Sequence, residues 1–505
     1  MKTILRAVSG DCRSFARSRP GHTALIRAAA SALFFLFCAH AFCFFNLTYS
    51  GDAVILSAAK NSQEQLLSGQ FLLPFYFRLR GAVASPIWIG LLSALYLALT
   101  ACVLLWLLRI TQPLLCIALC GLLVVNPAAV SVCAGSLHAA DAPFLGLLLA
   151  ACGALISMRS RLGFIPGACL FAASAAMDSN GISCGAALVA ASLLCDLVSE
   201  PSDASLLRRA AKGAAAIAAG YAMHAFASLL LPALLGKAPQ ASLCLPEGGI
   251  LSAWMAPFRM LFAPLTAYPH VNVALRAVLL SLTLMALALA LVRAGQRRAL
   301  AAAFGALALP LCANLPRFAA GAAGQTSLSF VMLDIAVLAI LSAFCSGIDP
   351  KYAKRLRRFI ACAAGVLILG GVVFSNQVYL KKNLEFHSTL SVMTRVIDRA
   401  EQTEGYTPGY TGVAILGNLD DSALSAQRPG FEHLSSLKAA EGNYASGENN
   451  LWYVWQILGY PFNFVGEYER EQIAALPQAG EMPAFPQEGS CRMIGDTLVI
   501  KLSDF

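Results

Sequence analysis

The sequence predicts a mainly α, polytopic membrane helical bundle with a small C-terminal α/β domain. Three observations predict it. Hydrophobic residues make up 58% of the 505 positions and charged residues 12%, where soluble globular chains carry about 25% charged residues. Apolar runs close to the roughly 20 residues of a bilayer crossing recur through the first three quarters of the chain. Beyond residue 377 the composition turns to that of a water-exposed segment.

The N-terminal stretch 1–27 is basic, with Arg6, Arg13, Arg17, Arg19 and Arg27. The apolar run that follows, Ala28 to Phe45, lacks a small-residue cleavage site and reads as a retained span rather than a signal peptide. Eleven spans are expected, at 28–46, 86–108, 113–132, 143–158, 162–178, 181–198, 213–235, 272–292, 299–315, 327–346 and 359–376. The fourth and fifth are short, so neighbouring helices must bury their ends.

Orientation follows from the basic loops. Arg109, then Arg159 and Arg161, then Arg208, Arg209 and Lys212, then Arg293, Arg297 and Arg298, then Lys351, Lys354, Arg355, Arg357 and Arg358 all fall on the side of the N-terminus if there are eleven spans. That side is expected to be cytoplasmic. The opposite, extracytoplasmic side then receives the first outer loop 47–85, shorter turns, and the domain 377–505. The cell inner (cytoplasmic) membrane is the expected location. The same distribution of charge accounts for the net +9 without a nucleic-acid partner.

Within the tail, Lys381 to Glu404 reads as an amphipathic helix with Leu390, Met393, Val396, Ile397 and Ala400 on one face. Gly412-Val-Ala-Ile-Leu-Gly417 reads as a buried strand, and 492–501 as a hairpin around Gly495-Asp496. Most of the 16 cysteines lie inside apolar runs, and no CxxC occurs. Buried cysteine behaves as a small hydrophobe, so neither a disulfide framework nor a metal site is expected.

Charge at the membrane margin is costly and usually functional, which selects the outer-side candidates. Asp52 can act as a general base or orient an acceptor; the alternative is a helix cap or a solvated loop residue. Arg78 and Arg80 can bind phosphate bidentately or snorkel to the interface. Asp141 directly precedes a span and either caps it or joins the chemistry. Asp178, in Met177-Asp-Ser-Asn-Gly181, suits a tight turn or an outer polar cluster. Lys60 lies within the first outer loop, and Arg317, in Asn314-Leu-Pro316-Arg317, starts another and can contact phosphate. His138 and His270 have no second ligand at metal spacing.

Four stretches form a recognisable pattern: Gly51-Asp52, Ser68-Gly69-Gln70-Phe71-Leu72-Leu73-Pro74-Phe75-Tyr76, Arg80-Gly81, and Ala84-Ser85-Pro86-Ile-Trp88-Ile-Gly90-Leu-Leu-Ser93. In them the segment from Asp52 resembles the type II O-antigen glucosyltransferases of the C-type superfamily of integral-membrane glycosyltransferases. Weaker echoes are Asn126-Pro127, His138 to Asp141, and Asn376-Gln377-Val-Tyr379. Three places depart from the pattern: a single acid stands at Gly51-Asp52 where many members have a pair, Gln70 stands where arginine is common, and a polar motif that is often Tyr-Gln stands around 177–180 as Met-Asp-Ser-Asn.

The resemblance implies a hexosyltransferase without a cofactor. It would take a hexose, glucose above all, from a polyprenyl-phosphate donor and pass it to a lipid-linked or surface glycan acceptor at the outer face. Inverting displacement needs a base at the acceptor hydroxyl and positive charge at the departing phosphate. Asp52 would be the base, with Asp141 beside it. Arg78, Arg80, Arg317, Lys60, His138 and Asp178 would line the substrate. A transporter or flippase of lipid-linked sugars is the competing class. It would be marked by internal repeats and mid-span polar residues, and neither stands out.

Overall fold

The computed structural model describes residues 19–46, 62–81, 84–135, 137–160, 163–199, 205–237, 249–261, 269–293, 296–315, 328–417 and 453–504. Helix accounts for 78% of the structure, with one small C-terminal sheet. Among the described residues eight helical stretches, the interrupted 113–135 counted as one, are long and apolar enough to cross a membrane by length and composition, and three shorter apolar helices lie at 164–177, 303–312 and 328–344. The three shorter helices fall where the fifth, ninth and tenth spans were expected.

In chain order the helices are α1 (Arg19–Phe45), α2 (Ser62–Leu67), α3 (Leu73–Arg80), α4 (Pro86–Leu107), α5 (Pro113–Val124), α6 (Pro127–Gly135), α7 (Asp141–Arg159), α8 (Phe164–Met177), α9 (Gly181–Ser199), α10 (Leu206–Leu234), α11 (Gly249–Leu261), α12 (Pro269–Arg293), α13 (Gln296–Cys312), α14 (Val331–Phe344) and α15 (Pro350–Glu401). Prolines open several of them. Pro86 and Pro113 sit in the first turn of α4 and α5, where the missing N–H costs nothing.

The chain divides into two compact units. One comprises Met1–Ala41, Ala58–Val132 and Ala139–Ser375, and the other Asn376–Phe505 with Phe42–Ser57 and Cys133–His138. In the first, α9 is the most enclosed helix and packs on α7, α8, α10, α13 and α14. Glycine makes that proximity possible. The Phe171 ring of α8 lies against Gly153 of α7 and Gly185 of α9, and its Cβ against Gly220 of α10; a Cβ on Gly185 would stand 2.5 Å from the ring. Without a hydrophobic drive between helices in lipid, such small-residue contacts are what holds them.

The second unit has a four-stranded sheet of order β2-β1-β4-β3, from β1 (Gly412–Leu416), β2 (Asn463–Phe464), β3 (Cys491–Ile494) and β4 (Thr497–Lys501). The central β1 runs parallel to β2 and β4, and β3–β4 is the hairpin that turns at Gly495-Asp496. Side chains alternate between two cores, as strand periodicity requires. Val413, Ile415, Leu498 and Ile500 pack with Met393, Val396 and Ala400 of α15. Ala414, Leu416 and Val499 pack with Ile473 and Ala479, from α16 (Glu467–Ala474) and α17 (Pro477–Gly480).

The span expected at 359–376 and the amphipathic helix expected from Lys381 are not separate elements. They form one uninterrupted helix of 52 residues. The stretch Asn376-Gln-Val-Tyr-Leu-Lys-Lys382 contains neither glycine nor proline, so nothing in the backbone stops the helix when the composition changes.

Candidate functional site

The site is built on α3, a two-turn helix held in place at its approach. Leu72 N–H donates to the Ala176 carbonyl at the end of α8 (3.2 Å). The Gly69 carbonyl accepts from the His224 ring of α10 (3.0 Å), and Phe71 stacks on the same ring at 5.8 Å. Gly69 has φ +88° and a Cβ there would come within 3.0 Å of Ser228 Oγ, so only glycine fits. Leu73, Tyr76 and Phe77 then bury their side chains against Ala142 and Met177.

This packing turns Arg80 inward. Its Nη1 donates to Asp141 Oδ1 at 2.5 Å, with side-chain exposures of 3% and 0%. Tyr76 OH donates to the other carboxylate oxygen, Oδ2, at 2.5 Å and lies 3.2 Å from Tyr96 OH. Arg80 also lies over the Phe77 ring, 4.6 Å from its centroid. Burial, followed by the Asp141 charge, raises the Tyr76 pKa, which keeps the phenol protonated and donating. Arg78, two residues earlier on α3, is exposed. The helix therefore separates the two arginines, one into the bundle and one away from it.

Asp141 is the first residue of α7, and capping was the structural expectation for it. Its carboxylate is instead shared between Arg80 and Tyr76. Asp178 caps the C-terminus of α8 in a turn closed by Gly181 N–H to its carbonyl (2.9 Å). Asn180 Nδ2 donates to Asp178 Oδ1 (3.3 Å), and the Asp178 Cβ faces Gly146 of α7. Burial pushes its pKa up to about 6. Met177, its neighbour, belongs to the Tyr76–Phe77 cluster, so Asp178 borders the same group of helices.

Of the sequence candidates the structure thus joins Arg80 and Asp141 and places Asp178 beside their packing cluster. His138, half-buried in the turn Leu137–Ala139, belongs to the second unit. Asp52, Lys60 and Arg317 lie outside the described residues. Among the described residues no three His, Cys, Asp or Glu side chains group as metal ligands.

A second polar cluster escaped the sequence reading, which found no clear mid-span polar residues. The expected span 113–132 is broken at Asn126-Pro127 into α5 and α6. Asn126 Oδ1 accepts from Ala128 N–H at 2.9 Å and caps α6, while its Nδ2 donates to Asp334 Oδ2 at 3.1 Å. Arg276 Nη2 reaches the same oxygen at 3.3 Å. The break leaves the Val124 carbonyl without its i+4 amide, and the His40 ring donates to it at 2.9 Å. A cavity of about 30 Å³ lies beside Arg276 and Asp334, walled by Leu279, Leu338, Ile360 and Leu367; that is room for a water or two. The signal was available: Arg276 and Asp334 are charges inside apolar runs.

A larger, mainly apolar cavity of about 230 Å³ lies between α9, α10 and α13, lined by Val189, Leu193, Leu206 and Phe304 among others. Neither cavity is lined by Arg80 or Asp141.

Comparison with protein-family models, with curated proteins and with solved structures finds no match.

Proposed function

We propose that this chain is a multi-pass membrane glycosyltransferase. In this reading it moves a hexose from a polyprenyl-phosphate carrier to a lipid-linked or surface glycan on the extracytoplasmic face, in the manner of the C-type enzymes it resembles. The supporting observation is the meeting of Arg80 and Asp141, 61 positions apart in sequence, within the segment that carries the resemblance. The Asp52 carboxylate serves as base. Arg80 is aimed and held by Asp141 and Tyr76, which makes Asp141 a positioning residue rather than a second base. Arg78, Lys60 and Arg317 supply further positive charge toward the departing phosphate. The N-terminus is cytoplasmic and the sheet domain extracytoplasmic.

One observation favours a second reading, a transporter of lipid-linked sugars. The helix break at Asn126-Pro127 and the Arg276–Asp334 pair are the kind of intramembrane features that transporters use. Purified protein in vesicles separates the two. Transfer of labelled hexose from polyprenyl phosphate to an acceptor supports the enzyme. Movement of labelled lipid-linked sugar across the bilayer with no change of bonds supports the transporter and sinks the enzyme.

A further inference from the structure

The sheet domain carries aromatic side chains that its core does not consume. Trp455 is 43% exposed although its ring is fixed. Its Nε1–H donates to the Phe462 carbonyl at 2.7 Å, and its ring meets Phe464 edge to face at 5.5 Å. It projects from a π-helical turn, Tyr453–Leu458, a conformation that is rare and concentrates at functional sites. Beside it runs β2, the two-residue edge strand, where Asn463 is exposed and its Nδ2 donates to the Tyr410 carbonyl at 3.3 Å. Tyr410 itself is 85% exposed. Tyr460 packs edge to face on the Phe462 ring at 5.0 Å and donates its hydroxyl to Glu401 Oε1 at 2.8 Å.

We propose that this edge of the sheet domain, centred on Trp455 with Tyr410, Asn463, Tyr460 and Glu401, is a binding surface for a hexopyranose chain. A pyranose has two chemical faces. Its axial C–H groups form an apolar patch that stacks on an aromatic ring, and its equatorial hydroxyls need donors and acceptors at the rim. The edge offers both. Trp455 and Tyr410 supply ring surface of the kind that dominates binding energy at interfaces. The Asn463 amide, the Tyr460 hydroxyl and the Glu401 carboxylate supply the rim. The Trp455 ring loses little freedom on binding, because its N–H bond and its contact with Phe464 already hold it. The choice of a glycan as ligand draws on the proposed transfer to a glycan; the stacking geometry does not.

The test uses the full chain in nanodiscs and a linear neutral glucan oligosaccharide as probe, titrated by calorimetry and by saturation-transfer NMR. Saturable binding is expected, weakened about tenfold by Trp455→Ala and by Tyr410→Ala, and less by Trp455→Phe, which keeps a ring. Tyr410 is so exposed that its replacement leaves folding intact. Three results would overturn the proposal: no saturable binding, affinity unchanged from the native protein in both alanine variants, or saturation by a proline-rich peptide in place of the oligosaccharide. Oligosaccharide binding without hexose transfer overturns the enzyme reading and leaves this surface standing. Transfer without binding at this edge does the reverse.

Discussion

Arg80 and Asp141 form an ion pair whose two side chains are withdrawn from solvent to 3% and 0% exposure, and Tyr76 occupies the remaining carboxylate oxygen. Breaking such a pair is worse than never having it, since the survivor is left charged and buried. Asp141→Asn is expected to destabilise the protein by about 3–5 kcal/mol, read as a lower melting temperature in detergent. Replacing both, with Arg80→Met and Asp141→Leu, should cost less than the single change. If the single and double variants melt alike, the pair is not the buried unit described.

Asp52 carries the chemistry in the proposed reaction. Asp52→Asn should reduce hexose transfer about 10²–10⁴-fold, at unchanged expression and melting temperature. Near-normal transfer by that variant would remove Asp52 as the base. Arg80→Lys should also be severe if the guanidinium binds phosphate through two parallel bonds.

Asp178 gives the fold a pH dependence of definite sign. Its folded-state pKa, about 6, lies above the ordinary 3.8, so folding favours the protonated acid. That contribution is fully present below about pH 4 and is lost as pH rises through 6. The change is about 3 kcal/mol at most. Melting temperature measured from pH 4 to 7 should fall more steeply in the native protein than in Asp178→Asn. Parallel curves would show that the carboxyl is ionised in the fold.

The glycine contacts around Phe171 make a packing prediction. Gly185→Ala places a methyl 2.5 Å from the ring, and overpacking of this kind costs about 1–3 kcal/mol. Phe171→Leu in the same protein should recover part of the loss. Additive destabilisation by the two changes would mean that they do not share the site.

At the helix break, Asn126→Asp retains the oxygen that caps α6 but sets a second carboxylate 3.1 Å from Asp334. The variant should be strongly destabilised. Adding Asp334→Asn exchanges amide and acid and should restore most of the stability. Failure of that exchange would mean that Asn126 and Asp334 interact only weakly.

Much of the helical layout was legible because apolar run length is set by the membrane alone, and the strands at 412–416 and 491–501 were legible from glycine-bounded apolar runs. The Arg80–Asp141 meeting was only partly so. Both residues could be selected as margin charges, but their union depends on Gly69 and His224 steering α3, and no local pattern encodes that. Asp141 itself was open to two readings, because the first position of a helix is where an acid caps as well as where it reacts. Arg276 and Asp334 were passed over because the surrounding runs remain apolar on average; a scan for single charges within them would have found both. The continuity of α15 was hidden by the opposite effect, a composition change that the backbone ignores.

The break at Asn126-Pro127 has a consequence for how the membrane part can respond. In lipid a severed helix ladder exposes polar groups that water cannot satisfy. Here the freed Val124 carbonyl is answered by His40, and the new helix start by Asn126, whose other end grips Asp334. Three chain segments far apart in sequence therefore hold one another's loose ends. The Asp334 carboxylate that Arg276 reaches is the one that holds Asn126, so the charge pair and the break it stands beside are one structural unit, and the helix cannot be mended or loosened at Asn126 without disturbing that pair.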